Sequence, residues 1–254
     1  MGTVLVVANQ KGGVGKTDLT VNLACNLAAM GNKVLLIDLD PQANATDYLT
    51  SQQHTVTSAD LLLNEKLELR DVIVKTEFNE NLDLCPSNSG LSAAQVQLAN
   101  DVDMQFKLKK KLKGIEKYKF VLIDTPPSLG LLTINAFTSA DEVLIPIQTQ
   151  YFALDGVSKL MDTVQKVKQN LNTHLKIRGV VLTMYDKRTS LSKQVGDEVK
   201  AEFNGKVFST VIPMNVRLAE APSYHKPIIA YAPESSGARA YAELAREFVN
   251  WRSA

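Results

Sequence analysis

The 254-residue sequence predicts an α/β fold, in which helices flank a doubly wound and mainly parallel sheet. Short runs rich in Val, Ile and Leu recur along the chain, and helical patterns separate them. The runs are almost continuously apolar rather than alternating, which is typical of strands covered on both faces. Regular alternation of strand and helix favours a parallel sheet.

The apolar runs predict strands at residues 3–8, 33–39, 82–86, 120–124, 142–147, 177–184 and 207–212. Helical spacing predicts helices that include residues 17–30, 93–112, 155–170, 191–203 and 237–251. Residues 47–81 have the least regular pattern and are expected to form loops. Because no linker rich in Gly, Ser or Pro divides the chain, residues 1–254 are predicted to form a single domain.

Composition excludes a global field that would attract nucleic acid or anionic lipid, since 28 basic and 27 acidic side chains leave a net charge of +1. Any such binding needs a local patch. Cys25 and Cys85 lie in apolar runs and are interpreted as inert core thiols rather than a disulfide or a metal site. The first residues lack the pattern of a signal peptide, and no apolar run approaches about 18 residues. We therefore expect a cytoplasmic protein that does not span a membrane.

The strongest motif is NQKGGVGKT at residues 9–17, which links the first predicted strand to the first predicted helix. Glycines at this position let backbone N–H groups face phosphate oxygens at a helix N-terminus. In such a P-loop Lys16 neutralises the β- and γ-phosphates, and the Thr17 hydroxyl ligates Mg²⁺. The pattern GxxxxGK[ST] is not met, because Gln10 occupies the first glycine position and a second lysine, Lys11, precedes the glycines.

Carboxylates follow the second predicted strand, where Asp38 and Asp40 lie two residues apart on one face. The carboxyl ends of strands in a doubly wound sheet form the edge where ligands bind. Taken alone, this pair is equally compatible with a solvated turn. Asp124 ends the strand at residues 120–124 and is followed by Thr-Pro-Pro-Ser.

The run KGGxGKT, the sequence DLDPQ and the segment ending in Asp124 resemble the deviant Walker A family. That family includes the ParA and Soj partition ATPases, MinD and the nitrogenase iron protein. The resemblance implies a P-loop NTPase fold, ATP and Mg²⁺ as cofactors, and slow, partner-stimulated ATP hydrolysis. It also implies a homodimer closed around nucleotide, because Lys11 matches the lysine that reaches the partner's nucleotide.

The resemblance assigns further roles. Asp40 orients the attacking water, and Asp124 holds Mg²⁺ through water. Asp18 departs from the pattern, because the family has Thr at this position close to the α-phosphate. The implied catalytic residues are Lys11, Lys16 and Asp40, and the implied metal residues are Thr17, Asp38 and Asp124. The nucleotide-binding residues are Lys11, Gly12, Gly13, Val14, Gly15, Lys16, Thr17, Asp18 and Asp124, with Pro213 and Asn215 framing the adenine.

Two distal segments, residues 183–195 and 212–223, resemble partition ATPases more closely than MinD or the iron protein. Arg188 and Arg217 match arginines with which the family binds DNA without sequence preference. The alternative is that these arginines form surface ion pairs. The lysine-rich run at residues 107–113 is interpreted as a solvated helix face, and the alternative is a contact with DNA.

Features that this sequence lacks distinguish it from other members of the deviant Walker A family. A basic amphipathic helix for membranes is not expected at the C-terminus, where an apolar core stripe runs along residues 237–251. Neither cysteine follows Asp124 as an iron–sulfur ligand would, and no helix-turn-helix region precedes the P-loop. We therefore predict an ATP-dependent dimeric switch that binds DNA non-specifically on the nucleoid and responds to a ParB-like or other cargo adaptor. The alternative is a MinD-like or scaffold-positioning ATPase that does not bind DNA, and the sequence leaves the cargo open.

Overall fold

The computed structural model describes residues 2–151 and 153–251. Within them, seven strands form one sheet in the order β3-β4-β2-β5-β1-β6-β7. The strands are β1 Thr3–Val7, β2 Val34–Asp38, β3 Val74–Lys75, β4 Leu82–Cys85, β5 Phe120–Asp124, β6 Glu142–Gln148 and β7 Lys176–Thr183. Only β3 and β4 pair antiparallel among these strands, which confirms the predicted fold class. Residues 1, 152 and 252–254 of the predicted domain lie outside the described residues.

Helices cover both faces of the sheet. They are α1 Lys16–Ala29, α2 Asn44–Leu49, α3 Ser58–Leu63, α4 Leu69–Val72, α5 Gly90–Leu98, α6 Lys107–Lys111, α7 Leu131–Ser139, α8 Val157–Asn170, α9 Ser190–Phe203, α10 Val216–Glu220, α11 Ile228–Tyr231 and α12 Ser236–Asn250. The predicted strands other than 207–212, and the predicted helices other than 93–112, agree with the structure to within two residues.

The core consists of two apolar layers, one on each face of the sheet. Along β1, Val4 and Val6 join the layer that contains α5, α7 and α8. Leu5 and Val7 join the opposite layer, with α1 and α12. Because successive side chains of a strand point to opposite faces, a strand buried on both sides must be apolar throughout. This arrangement explains the continuous hydrophobic runs of the sequence.

The central strands end together at one edge of the sheet. Asp124, the last residue of β5, pairs in register with Val7 of β1 and with Asp38 of β2. The loop after β1, the carboxylates after β2 and Asp124 therefore meet at the carboxyl edge. This is the place where parallel α/β sheets bind ligands.

The strand predicted at residues 207–212 is wrong. Only isolated bridges form at the two ends of this segment. Between them, the backbone N–H groups of Ser209 and Thr210 donate to the Glu247 carboxylate at 2.6 and 2.9 Å. These two N–H groups are therefore not available to pair with β7. Their acceptor is the Glu247 carboxylate of α12 and not a neighbouring strand.

The single helix predicted at residues 93–112 is also wrong. It is divided into α5, a 3₁₀ turn at Met104–Phe106 and α6. Asp101 and Asp103 lie in the break, and both contact the Lys107 ammonium group, at 2.8 and 3.3 Å. Short polar residues favour turns over helix interiors, and these ion pairs fold the chain back on itself.

The expected solvated lysine face is wrong in part. Lys107 is buried within its ion pairs, and Lys111 donates to the carbonyl oxygens of Asn64, Glu65 and Leu67 at 2.7, 3.0 and 2.7 Å. These bonds hold residues 64–67, which join α3 to α4, against α6. The region 47–81, which was expected to form loops, contains the short elements α3, α4 and β3.

The cysteine prediction is confirmed, because Cys25 and Cys85 are both buried and free. Burial raises the pKa of each thiol, which favours the unreactive protonated form. In residues 2–151 and 153–251, no helix has the length and apolar character needed to cross a membrane.

Candidate nucleotide site

The loop between β1 and α1 has the backbone of an anion cradle. Gly13 and Gly15 have φ angles of +71° and +85°, a left-handed conformation that side chains rarely adopt. Gly15 caps α1, and the Val14 carbonyl accepts a hydrogen bond from the Thr183 hydroxyl at 2.8 Å. The glycines therefore let backbone N–H groups point into the space in front of the N-terminus of α1. The helix dipole favours an anion at this place.

Lys16 closes the loop. Its ammonium group donates to the Lys11 carbonyl oxygen at 3.0 Å, and the residue is only 6% exposed. Burial lowers the pKa of Lys16, and the nearby charges of Asp124 and Asp40 oppose this effect. A cation held in place among carboxylates is suited to bind phosphate. Lys11 is half-buried, and its side chain does not line the cavity beside the P-loop.

Asp124 joins the P-loop helix to the sheet. Its two carboxylate oxygens accept hydrogen bonds from the hydroxyls of Thr17 and Thr20, at 2.8 and 2.9 Å. Burial raises the pKa of Asp124, and the two hydroxyls act in the opposite direction. A threonine hydroxyl beside a carboxylate is a donor set that suits Mg²⁺. The described residues contain no group of three or more His, Cys, Asp or Glu side chains able to hold a metal.

Asp38 and Asp40 form a rigid pair after β2. The Asp38 oxygens accept from the Asp40 backbone N–H at 3.0 Å and from the backbone and hydroxyl of Thr46 at 2.9 and 2.8 Å. Burial, followed by the charge of Asp124, raises the pKa of Asp38. The contacts of Asp38 therefore hold the segment that leads into α2. Its predicted metal role stays a prediction.

Asp40 is 5% exposed and lines a cavity beside the P-loop. Its Oδ1 accepts from the Gln42 backbone N–H at 2.9 Å, and the Ser87 hydroxyl holds its carbonyl oxygen at 2.8 Å. Among the described residues no donor reaches Oδ2. This oxygen is thus available to a water molecule, which agrees with the water-orienting role that the sequence predicts.

The cavity has a volume of about 820 Å³, within the range of small-molecule sites. Its walls include residues of the P-loop together with Met184 and the predicted adenine residues, Pro213 and Asn215. Asn215 also caps α10, because its side chain accepts from the Arg217 N–H at 2.8 Å. The structure therefore brings the predicted phosphate and base residues to one cavity.

Asp18 lines the same cavity, but its contacts point to helix packing. Its Oδ1 accepts from Tyr48 of α2 and from Asn22, both at 2.9 Å, and its Oδ2 accepts from Tyr241 of α12 at 2.7 Å. Burial raises the pKa of Asp18 to about 6. Asp18 thus ties the P-loop helix to α2 and α12, and its predicted position near an α-phosphate stays a prediction.

The Asp18 contacts predict a pH-dependent stability. Burial raises the pKa of this carboxyl group from 3.8 to about 6, so the folded protein holds the proton more tightly than the unfolded chain does. This preference stabilises the fold below pH 3.8, and the stabilisation is lost as the pH rises through about 6. The Tyr241 hydroxyl favours the charged form and limits the loss. We therefore expect Tyr241→Phe to lower the free energy of unfolding by about 1.5–3 kcal/mol at pH 8 and by less at pH 5.

Urea unfolding of the protein without nucleotide or Mg²⁺ measures this effect. Asp18→Asn is the matched control, because it stays neutral at every pH and should lack the fall between pH 5 and 8 that Asp18 causes. An equal cost of Tyr241→Phe at both pH values would contradict the account.

The two predicted DNA-binding arginines are exposed but ion-paired. Arg188 contacts Asp186 through Nε at 2.9 Å and Nη2 at 2.8 Å. Arg217 contacts Glu220 at 2.8 Å, and the Tyr231 hydroxyl donates to the same carboxylate. The surface ion pairs considered as the alternative are therefore present, and DNA binding stays a prediction.

Several residues of the site are missing from the sequence predictions. The Thr20 hydroxyl donates to the Asp124 carboxylate, and the Thr46 hydroxyl donates to the Asp38 carboxylate. The Ser87 hydroxyl donates to the main-chain carbonyl oxygen of Asp40. Thr20 lies one helical turn after Thr17, and this spacing was the available signal. Thr46 and Ser87 belong to different segments and had no such signal.

Comparison with known proteins gives consistent matches that cover most or nearly all of the chain. A family model described as an AAA domain matches residues 2–177. The sporulation initiation inhibitor protein Soj of Bacillus subtilis (strain 168) is 48% identical over 250 residues, which cover 97% of this chain and 98% of that protein. The chromosome partitioning protein ParA of Caulobacter vibrioides (strain NA1000 / CB15N) is 46% identical over 252 residues, covering 97% and 94%.

A solved structure extends the comparison to the fold. The cobyrinic acid a,c-diamide synthase of Mycobacterium smegmatis with bound ADP and magnesium has a TM-score of 0.86 at 34% identity, covering 98% of this chain and 95% of that chain. The full-length identities to Soj and ParA, together with the P-loop and the switch carboxylates at one sheet edge, lead to one conclusion. The chain belongs to the ParA/Soj family of partition ATPases.

Proposed function

We propose that the chain is an ATP-dependent dimeric switch that binds DNA without sequence preference and releases it after ATP hydrolysis. The observation that carries this proposal is the hydrogen bond from the Thr17 hydroxyl to Asp124, next to a cavity that Thr17 and Asp40 line. This contact joins the P-loop helix α1, which would bind phosphate, to the end of β5, which would respond when phosphate is lost.

The proposed nucleotide is ATP with Mg²⁺, as the P-loop cavity and the relatives support. The backbone of Gly12 to Thr17 would hold the phosphates, and the buried ammonium group of Lys16 would neutralise their charge. Thr17 and Asp124 would hold Mg²⁺, which neutralises charge on the β- and γ-phosphates when bound. Pro213 and Asn215, which line the same cavity, would hold the adenine.

Hydrolysis is assigned to Asp40. Gln42 fixes its Oδ1, so the free Oδ2 would orient the attacking water toward the phosphate end of the cavity. Because α2 begins four residues after Asp40, the loss of phosphate contacts would reach the α2 helix directly. We propose that hydrolysis is slow until a ParB-like or other cargo adaptor stimulates it.

Dimerisation is assigned to Lys11, which would act on the nucleotide of the partner subunit. Two observations support this role: Lys11 occupies the position of the family's extra lysine before the P-loop glycines, and its side chain does not line the cavity of its own subunit. The dimer would be cytoplasmic and associated with the nucleoid, where Arg188 and Arg217 of both subunits contact DNA phosphates.

Electrophoretic shift of two unrelated duplexes of equal length tests this function. We expect a shift with ATP and Mg²⁺ and none without nucleotide. The four copies of Arg188 and Arg217 in a dimer would contribute roughly −3.6 to the log–log salt slope. Arg188→Glu and Arg217→Glu should each weaken binding to both duplexes, because each adds a charge that repels phosphate beside Asp186 or Glu220.

Lys168→Glu, a charge-matched change at an exposed position of α8, serves as the control and should bind as the parent does. Binding of DNA that is independent of ATP would contradict the switch. If the parent dimerises with ATP but shifts neither duplex, the DNA assignment is wrong and a MinD-like or scaffold-positioning ATPase becomes the better account.

A further inference from the structure

A second cavity lies beside the nucleotide cavity. Its volume is about 760 Å³, and it is bounded by the Tyr185–Arg188 loop, residues 209–214 and the first turns of α12. Pro213 and Met214 line both cavities. The segment proposed to hold the adenine is therefore also a wall of the second cavity.

The charges of this second cavity are not balanced. Lys187, Arg188 and Arg239 contribute positive charge, whereas Asp186 and Glu243 contribute negative charge. Arg188 is engaged by Asp186 through two hydrogen bonds. Its charge is thus already compensated before any ligand arrives.

Arg239 differs from Arg188 and Arg217. Its Nη1 donates to the Glu234 carbonyl oxygen at 2.7 Å, which positions the guanidinium group but does not neutralise it. Within residues 2–151 and 153–251, no carboxylate lies within 4 Å of this guanidinium group. The side chain is exposed, so its remaining donors are available to an external anion.

The position of Arg239 joins the two proposed DNA-binding arginines. Arg188 lines the same cavity, and Asn215, two residues before Arg217, donates to the Ser236 hydroxyl at 2.7 Å. Arg239 follows Ser236 by one helical turn. It therefore lies on the surface between the loop of Arg188 and the beginning of α10.

We propose that Arg239 binds a DNA backbone phosphate at the second cavity and is a third phosphate contact of this face. The proposal rests on the proposed DNA-binding function. Phosphate meets a charge at Arg239 that no carboxylate compensates, whereas at Arg188 and Arg217 it must compete with Asp186 and Glu220. Because Pro213 and Met214 line both cavities, the new contact is also next to the nucleotide.

Arg239→Gln tests the proposal, since it removes the charge and keeps most of the side-chain length. In a salt titration of DNA binding with ATP, the two copies in a dimer should reduce the magnitude of the log–log slope by roughly 1.8. The loss should be equal for unrelated duplexes. ATP affinity and ATP-dependent mass should stay at the parent values, and Arg239→Lys should restore the slope.

Arg246→Gln is the matched control, an exposed arginine of the same helix two turns further along and outside the cavity. The proposal is overturned if Arg239→Gln keeps the parent slope while Arg188→Glu and Arg217→Glu lose binding, and the proposed function then stands. It is also overturned if Arg246→Gln has an equal effect. Weaker binding of polyglutamate with unchanged DNA binding would assign the cavity to an acidic protein segment. A parent that binds no DNA would remove both proposals.

Discussion

Replacing Lys16 with alanine should abolish measurable ATP binding while the protein stays folded. The ammonium group is buried in the P-loop, where it donates to the Lys11 carbonyl oxygen and is influenced by the charges of Asp124 and Asp40. Truncating one partner of a buried charge contact costs about 2–5 kcal/mol, which is roughly a 30-fold to several-thousand-fold loss of affinity. The sheet should persist, because Thr17 and Thr20 continue to hold Asp124.

Titration with a fluorescent ATP analogue in Mg²⁺ measures the affinity, and far-ultraviolet circular dichroism confirms the fold. Lys11→Ala is the matched control from the same loop. It should retain ATP binding, because Lys11 is assigned to the partner's nucleotide. Parent-like affinity in Lys16→Ala would refute the assignment of the P-loop.

Asp40→Ala should bind ATP and fail to hydrolyse it. A residue that orients the attacking water contributes a factor of about 10²–10⁴ to the rate, and turnover should fall by that factor. Nucleotide binding should persist, because the phosphate contacts belong to the P-loop. Phosphate release from ATP measures the turnover of both proteins, in the presence and absence of DNA.

Asp47→Ala provides the comparison for Asp40→Ala. Asp47 is an exposed carboxylate of α2 that lines the same cavity, so its removal changes the charge of the cavity without removing the water-orienting group. We expect Asp47→Ala to hydrolyse ATP at close to the parent rate. Equal losses in the two variants would show that cavity charge, rather than the position of Asp40, controls turnover.

The sheet and its ligand edge were predictable, because strands buried on two faces leave continuous apolar runs and the P-loop has a fixed place after the first of them. Asp38, Asp40 and Asp124 were predictable as a group for the same reason. That the whole chain from residue 1 to 254 forms one domain stays a prediction.

Contacts between distant segments were not predictable. Asp18 bonds to Tyr48 and Tyr241, which are 30 and 223 residues away, and nothing in the local pattern connects them. The segment 207–212 has the composition of a strand, but Glu247 of α12 takes two of its N–H groups. A side chain from another element decided the outcome in each case.

The arginines illustrate a further limit of sequence patterns. Arg188 and Arg217 were identified by resemblance, with surface ion pairs as the alternative, and their partners Asp186 and Glu220 lie two and three residues away. Arg239 belongs to no quoted motif. Its significance comes from the cavity that it shares with Arg188, which only the fold brings together.

The central claim is that ATP joins two copies of this chain through Lys11. Light scattering of Asp40→Ala tests it most directly, because this variant keeps the nucleotide intact during the measurement. With ATP and Mg²⁺ the mass should be that of two chains, and with ADP that of one. The double variant Lys11→Ala, Asp40→Ala should bind ATP and keep the mass of one chain. A single-chain mass of Asp40→Ala at saturating ATP, or a dimer that forms without Lys11, would contradict the account.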